Sequence, residues 1–88
     1  MTSEINYGDI IRLGFKEYSS NDPVYFNQYG YEYKWYTLYL TKRVYLHWSK
    51  EDRICTMRRE NEEGEIRRKA RVLGLKQLEL LIDFFRGK

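Results

Sequence analysis

Cysteine, proline and histidine each occur once in these 88 residues. A single cysteine, Cys55, excludes an intramolecular disulfide and a thiolate metal cluster. Packing or association must therefore supply the stability that covalent staples would otherwise add. A single histidine, His47, excludes histidine-pair metal sites, and on an alternating strand it reads as an ordinary sheet-face residue. No Gly-rich phosphate loop is present. No apolar run approaches the ~20 residues that span a bilayer; the longest, near the C-terminus, is broken by Glu79 and Asp83. The opening "MTSEINYGD" is acidic and has no apolar h-region, so no signal peptide is expected, and the expected location is the cytoplasm. Glu60, Glu62, Glu63 and Glu65 cluster beside Arg58 and Arg59. Metal-assisted hydrolysis needs rigidly held carboxylates, which a mobile hairpin tip does not provide. Cys55, flanked by Ile54 and Thr56, reads as a small buried hydrophobe. No catalytic residue, metal site or cofactor is expected, and the chain is not expected to be an enzyme.

Rings are abundant instead. Nine tyrosines, four phenylalanines and two tryptophans make 17% of the chain aromatic. The stretch "YGYEYKWYTLY", residues 29–39, is aromatic at six of its eleven positions. A chain of this length fills one core, so residues 1–88 are expected to form one domain. Large rings are an efficient way to gain buried area in so small a domain. The formal charge is +3 with a third of the residues charged, a mildly basic balance that permits a nucleic-acid partner without requiring one.

Apolar periodicity organises the chain into short elements. "GDIIRLGFKEY" alternates, with Ile11, Leu13 and Phe15 on one side, and predicts a half-buried strand. "SSNDP" (19–23) predicts a loop, and residues 24–30 carry no clear period. From Tyr31 the alternation resumes with a change of phase. Tyr31, Tyr33, Trp35 and Tyr39 are odd-numbered; Tyr36, Leu38 and Leu40 are even. Either a bulge near Trp35 flips the face, or the odd-numbered rings stay partly exposed. "VYLHW" and "RICTMRR" predict two more strands, and "NEEGE" a hairpin with Gly64 free to take a positive φ. In "IRRKARV" the inward positions are Ile66, Ala70 and Val72, while Arg67, Lys69 and Arg71 point outward and Arg68 lies towards an edge. "LKQLELLIDFFRG" has the helical period at Leu75, Leu78, Leu81, Ile82 and Phe85 and stops at Gly87. Leu80 and Phe84 form a second apolar stripe, which suits a homodimer.

The expected fold is α+β: an antiparallel meander of four to five strands with one C-terminal helix packed on one face. A helix covers one face only, so the other is left for the odd-numbered rings and the outward cations. The candidate partner-binding set is Tyr31, Tyr33, Trp35, Tyr39, Tyr45, Arg67, Lys69 and Arg71. Rings beside arginines serve both base stacking and protein-interface hot spots.

The segment "RICTMRRENEEGEIRRKARVLGLKQLELLIDFF" resembles the PC4-type single-stranded DNA-binding family in its order of strand, Gly-containing hairpin, basic strand and covering helix. That resemblance implies sequence-tolerant binding of single strands through Arg67, Lys69 and Arg71; the tyrosine-dense first half departs from the family. The whole chain resembles, in size and composition, the small accessory proteins of phages and prophages. Those of the anti-CRISPR and counter-defence kind act stoichiometrically on host proteins. The first expectation is therefore a non-enzymatic inhibitor that docks its aromatic and basic face on a host nucleic-acid-processing or defence protein, in the host cytoplasm. A net charge of +3 is a weak field for phosphate-dominated affinity, which places direct binding of single-stranded nucleic acid second.

Overall fold

The computed structural model describes residues 4–19 and 34–87. Along them run α1 (Tyr7–Arg12), β1 (Lys16–Ser19), β2 (Lys34–Tyr39), β3 (Val44–Ser49), β4 (Cys55–Glu60), β5 (Ile66–Val72) and α2 (Leu75–Arg86). The five strands form one antiparallel sheet in the order β1-β2-β3-β4-β5. Each strand pairs with its neighbours in sequence, which is the meander expected of an α+β fold.

The first element departs from the alternation reading. Residues 7–12 are helical, and the strand begins only at Lys16. A capping box decides the matter. The Asn6 side chain accepts from the Asp9 backbone N–H at 2.9 Å, and the Asp9 carboxylate accepts from the Asn6 N–H at 3.1 Å. Two amides that a helix start leaves without partners are thereby satisfied. Helical rotation then buries Ile10 fully and leaves Ile11 exposed. Gly14 turns the chain out of the helix with φ +92, a region glycine enters without a Cβ clash. Phe15 follows it into the core. Of the predicted 19–23 loop only Ser19 is described, as the last residue of β1; residues 24–30, Tyr31 and Tyr33 also lie outside the described residues.

Strand register divides the sheet into two faces. Tyr36 lies opposite Trp48 and Leu38 opposite Leu46. Leu46 in turn faces Met57, and Cys55 faces Val72. These side chains join Ile5, Ile10, Phe15, Leu78 and Ile82 in one hydrophobic core. Both helices therefore contribute to the same face, so the covering layer has two helices rather than one. The Tyr7 ring of α1 lies 5.4 Å from Tyr36 and 6.5 Å from Trp48, tying α1 to β2 and β3. The Tyr36 hydroxyl donates to Glu17 Oε1 at 2.9 Å. Burial, and then that hydrogen bond, push the Tyr36 phenol well above its ordinary range, so it remains a donor.

α2 anchors through Leu78 and Ile82, which are buried, with Leu75 and Leu81 packed partly against the core. It ends at Gly87, in the left-handed region at φ +74, the usual helix stop. β5 is an edge strand, and its first six residues are all exposed. Only Val72 of the three positions expected to face inward is buried; Ile66 and Ala70 are not. The β4–β5 hairpin thus projects past the covered part of the sheet. No helix among the described residues is long and apolar enough to cross a membrane.

Candidate functional site

The second sheet face carries the odd-numbered residues of β2 and β3. Tyr39 pairs with Tyr45, Tyr45 with Arg58 and Arg58 with Lys69. These four side chains make one row across four adjacent strands, about 4.8 Å apart. The next row is Lys16, Thr37, His47, Thr56 and Arg71, one residue from each strand. A third holds Tyr18, Trp35 and Ser49. No described helix shares this face.

The three rows differ in access. Ser49 and Thr37 are buried and Trp35 is half-buried, so the Trp35 end is closed. Tyr39, Lys69 and Arg71 are exposed, with Tyr45 and Arg58 half-buried between them. The rings come in pairs: Tyr39 and Tyr45 have centroids 5.1 Å apart, and Tyr18 stacks on Trp35 at 6.2 Å with planes 13° apart. Cross-strand aromatic pairs of this kind hold each other in place. The Tyr39 hydroxyl donates to Glu60 Oε1 at 3.1 Å, which fixes the outermost ring.

The cations of this face are less encumbered. Arg58 Nε donates to Thr56 Oγ1 at 3.0 Å, orienting its guanidinium without neutralising it. Among the described residues the ion pairs are Arg12–Asp9, Lys34–Glu17, Arg43–Glu62 and Arg53–Glu4; Lys16, Arg58, Lys69 and Arg71 belong to none of them. His47, amid them, reports the resulting field. Burial first, then Arg58 and Lys69, lower its pKa from 6.5 to about 4 against a smaller opposing pull from Asp52. It is a neutral imidazole at pH 7.

That shift has a sign that can be tested. Between pH 6.5 and about 4 the unfolded chain binds a proton at His47 that the folded chain refuses. Stability present above pH 6.5 is therefore lost as pH falls through that window. Urea midpoints measured at pH 7.5, 6 and 5 should fall progressively. His47→Gln should flatten the descent; an unchanged descent would mean that other groups carry it.

Of the candidate residues drawn from the sequence, Trp35, Tyr39, Tyr45, Lys69 and Arg71 meet on this face, while Tyr31 and Tyr33 lie outside the described residues. Arg67 is placed differently. A register shift between Arg59 and Glu60 interrupts the β4–β5 ladder, and Arg67 lines a cleft by the hairpin with Arg43, Arg59, Glu60, Glu62 and Arg68. Arg58, Lys16 and Tyr18 join the face without having been singled out. Alternation from the inward Cys55 would have turned Arg58 outward, but only strand register sets it beside Tyr45.

No group of three or more His, Cys, Asp and Glu side chains among the described residues is placed to hold a metal ion. The Cys55 thiol is buried, and burial pushes its pKa up to about 12, the reverse of what a nucleophile needs. The second face presents flat apolar rings next to cations. Comparison with protein-family models, with curated proteins and with solved structures returns no match to this chain.

Proposed function

We propose that this protein is a non-enzymatic binding module that holds single-stranded nucleic acid on the open, Tyr39–Tyr45 end of the second face of its sheet. The observation that carries this reading is the row Tyr39–Tyr45–Arg58–Lys69, in which two rings abut two unneutralised cations on consecutive strands. Bases stack on rings whatever their identity, and the phosphates between them seek cations. The face offers flat surfaces and point charges rather than a rigid set of paired donors and acceptors, so binding is sequence-tolerant. The net charge of +3 is a whole-chain figure, whereas Lys16, Arg58, Lys69 and Arg71 gather on this one face, with Glu60 at its Tyr39 end.

A second reading has its own support. Tyr18–Trp35 and Tyr39–Tyr45 are pre-paired rings, the first with Lys16 over the Tyr18 ring and the second beside Arg58, and Trp, Tyr and Arg are the residues enriched at protein-interface hot spots. On that reading the protein is a stoichiometric, phage-type inhibitor that occupies the nucleic-acid site of a host enzyme.

Salt separates the two. A labelled mixed-sequence DNA single strand, titrated from 50 to 300 mM salt (roughly the range over which phosphate contacts dominate), should lose affinity with a log–log slope of about −2. That is −0.7 for each of three phosphates met by Arg58, Lys69 and Arg71. Absence of binding at the low-salt end, or binding indifferent to salt, overturns the nucleic-acid reading. Retention of one protein from a nuclease-treated bacterial lysate would then make the inhibitor reading primary.

A further inference from the structure

α2 has a second apolar side that stays exposed. Leu80 is 61% exposed and Phe84 77%, and with Gln77, Leu81 and Asp83 they line a shallow groove along the helix. Leu80 lies two residues from each of the anchors Leu78 and Ile82. Two residues are ~200° of helical rotation, so Leu80 points almost directly away from the sheet.

We propose that this stripe is the interface of a symmetric homodimer, formed by antiparallel packing of α2 on its copy about a two-fold axis at Leu80. The reasoning uses helical geometry and charge. In an antiparallel pair centred on Leu80, a residue three or four positions before the centre meets one three or four positions after it. On one flank that brings Lys76 of one copy to Asp83 of the other, and the symmetry repeats the contact. On the opposite flank Gln77 meets Phe84. The two flanks are thus self-complementary: one carries two reciprocal ion pairs, and the other two ring–amide contacts, around a Leu80–Leu80 centre. An isologous interface has to satisfy this condition. Lys76 and Asp83 are both exposed, and neither takes part in an ion pair among the described residues. Gln77 is already oriented, because its Oε1 accepts from the Leu73 backbone N–H at 2.6 Å, leaving the amide N–H group for a partner. Phe84 is held edge-on by Phe85 at 5.3 Å. A parallel arrangement would set Lys76 against Lys76 and Asp83 against Asp83, and is disfavoured.

Size sets the strength. A 12-residue helix offers a footprint of roughly 18 Å by 10 Å, well under the ~800 Å² per partner of a standard interface. The dimer is therefore a weak one, independent of what the opposite face of the sheet binds.

Sedimentation equilibrium from low micromolar to submillimolar concentration tests it. The native protein should shift from monomer to dimer within that range. Lys76→Glu and Asp83→Lys, each alone, should weaken association by about tenfold or more, since each places like charges in contact twice. An equimolar mixture of the two should recover it, because the mixed dimer restores opposite charges on both contacts. Leu80→Ala should also weaken association, and as an exposed substitution it should leave the far-UV circular dichroism unchanged. A strict monomer throughout, or a dimer indifferent to both charge reversals, overturns the proposal. Co-sedimentation of a strict monomer with lipid vesicles would assign the stripe to a membrane surface instead.

Discussion

Trp48→Ala is expected to cost about 3–5 kcal/mol, the range for deleting a buried large ring. A domain of this length has on the order of 5–13 kcal/mol in all, so the variant should be close to unfolding at room temperature. The reason lies in what Trp48 joins. It is 2% exposed, lies opposite Tyr36 across the β2–β3 ladder with ring centroids 5.7 Å apart, and reaches Tyr7 of α1. Its loss opens a cavity where two strands and a helix meet. Trp48→Phe should behave differently. The indole Nε1 is buried with no hydrogen-bond partner among the described residues, and leaving such a donor unmet costs about 1–3 kcal/mol. Phenylalanine removes that donor while keeping a ring, so its lost volume is partly offset and the net cost should stay under ~1.5 kcal/mol. Urea denaturation of both variants checks the pair. A loss below ~1 kcal/mol for the alanine variant would mean that α1 is not docked on the sheet as described.

Joint replacement of Arg58, Lys69 and Arg71 by Gln should weaken single-strand binding by about 100-fold at physiological salt, taking roughly 1 kcal/mol per exposed charge-assisted contact. The salt slope should fall towards zero at the same time. Tyr45→Ala should act otherwise: a stacking loss of about 1–3 kcal/mol with the slope intact. Arg67→Gln is the informative control, since Arg67 lines the cleft of Arg43, Arg59 and Arg68 instead. It should change affinity by no more than about threefold. If Arg67 matters as much as Arg58, the binding track follows the hairpin and not the Tyr39–Tyr45 row. Fluorescence anisotropy at two salt concentrations distinguishes these outcomes.

The parts of this fold readable from the sequence are those where one period acts alone. β3 alternates cleanly around Leu46 and Trp48, and α2 repeats at Leu75, Leu78 and Ile82 with glycine after it. α1 was hidden because Ile11, Leu13 and Phe15 also satisfy a strand. The deciding signal was the Asn6-x-x-Asp9 spacing, a local hydrogen-bond pattern that apolar periodicity does not register. Ala70 has the inward parity expected of it but remains exposed, while the register shift pairs Ile66 with Glu60 and so turns it to the other face. Parity states which face a residue is on, not how far the covering layer extends. α2 is about 18 Å long and β5 about 23 Å. The candidate face follows the same logic. Trp35, Tyr39 and Tyr45 were visible as residues out of phase with the core. Arg58 was not, because its place beside Tyr45 depends on which residues of β3 and β4 pair, and a one-residue slip would reverse it. Arg67 was drawn into the candidate set by alternation and is separated from Lys69 and Arg71 by an irregular ladder that no residue type announces.

Cys55 has a use that follows from its position. It is the chain's only thiol, sits opposite Val72 at the floor of the core, and is deprotonated only near pH 12 while folded. Alkylating reagents react with the thiolate, so a closed molecule at neutral pH offers them almost nothing. Modification must then wait for the core around Cys55 to open. The rate at which a thiol reagent consumes the protein under native conditions counts those openings, and the opening free energy follows from its ratio to the rate for an unfolded chain. The protein thus carries an internal clock for its own excursions, one that needs no added label and can be read with and without a bound partner.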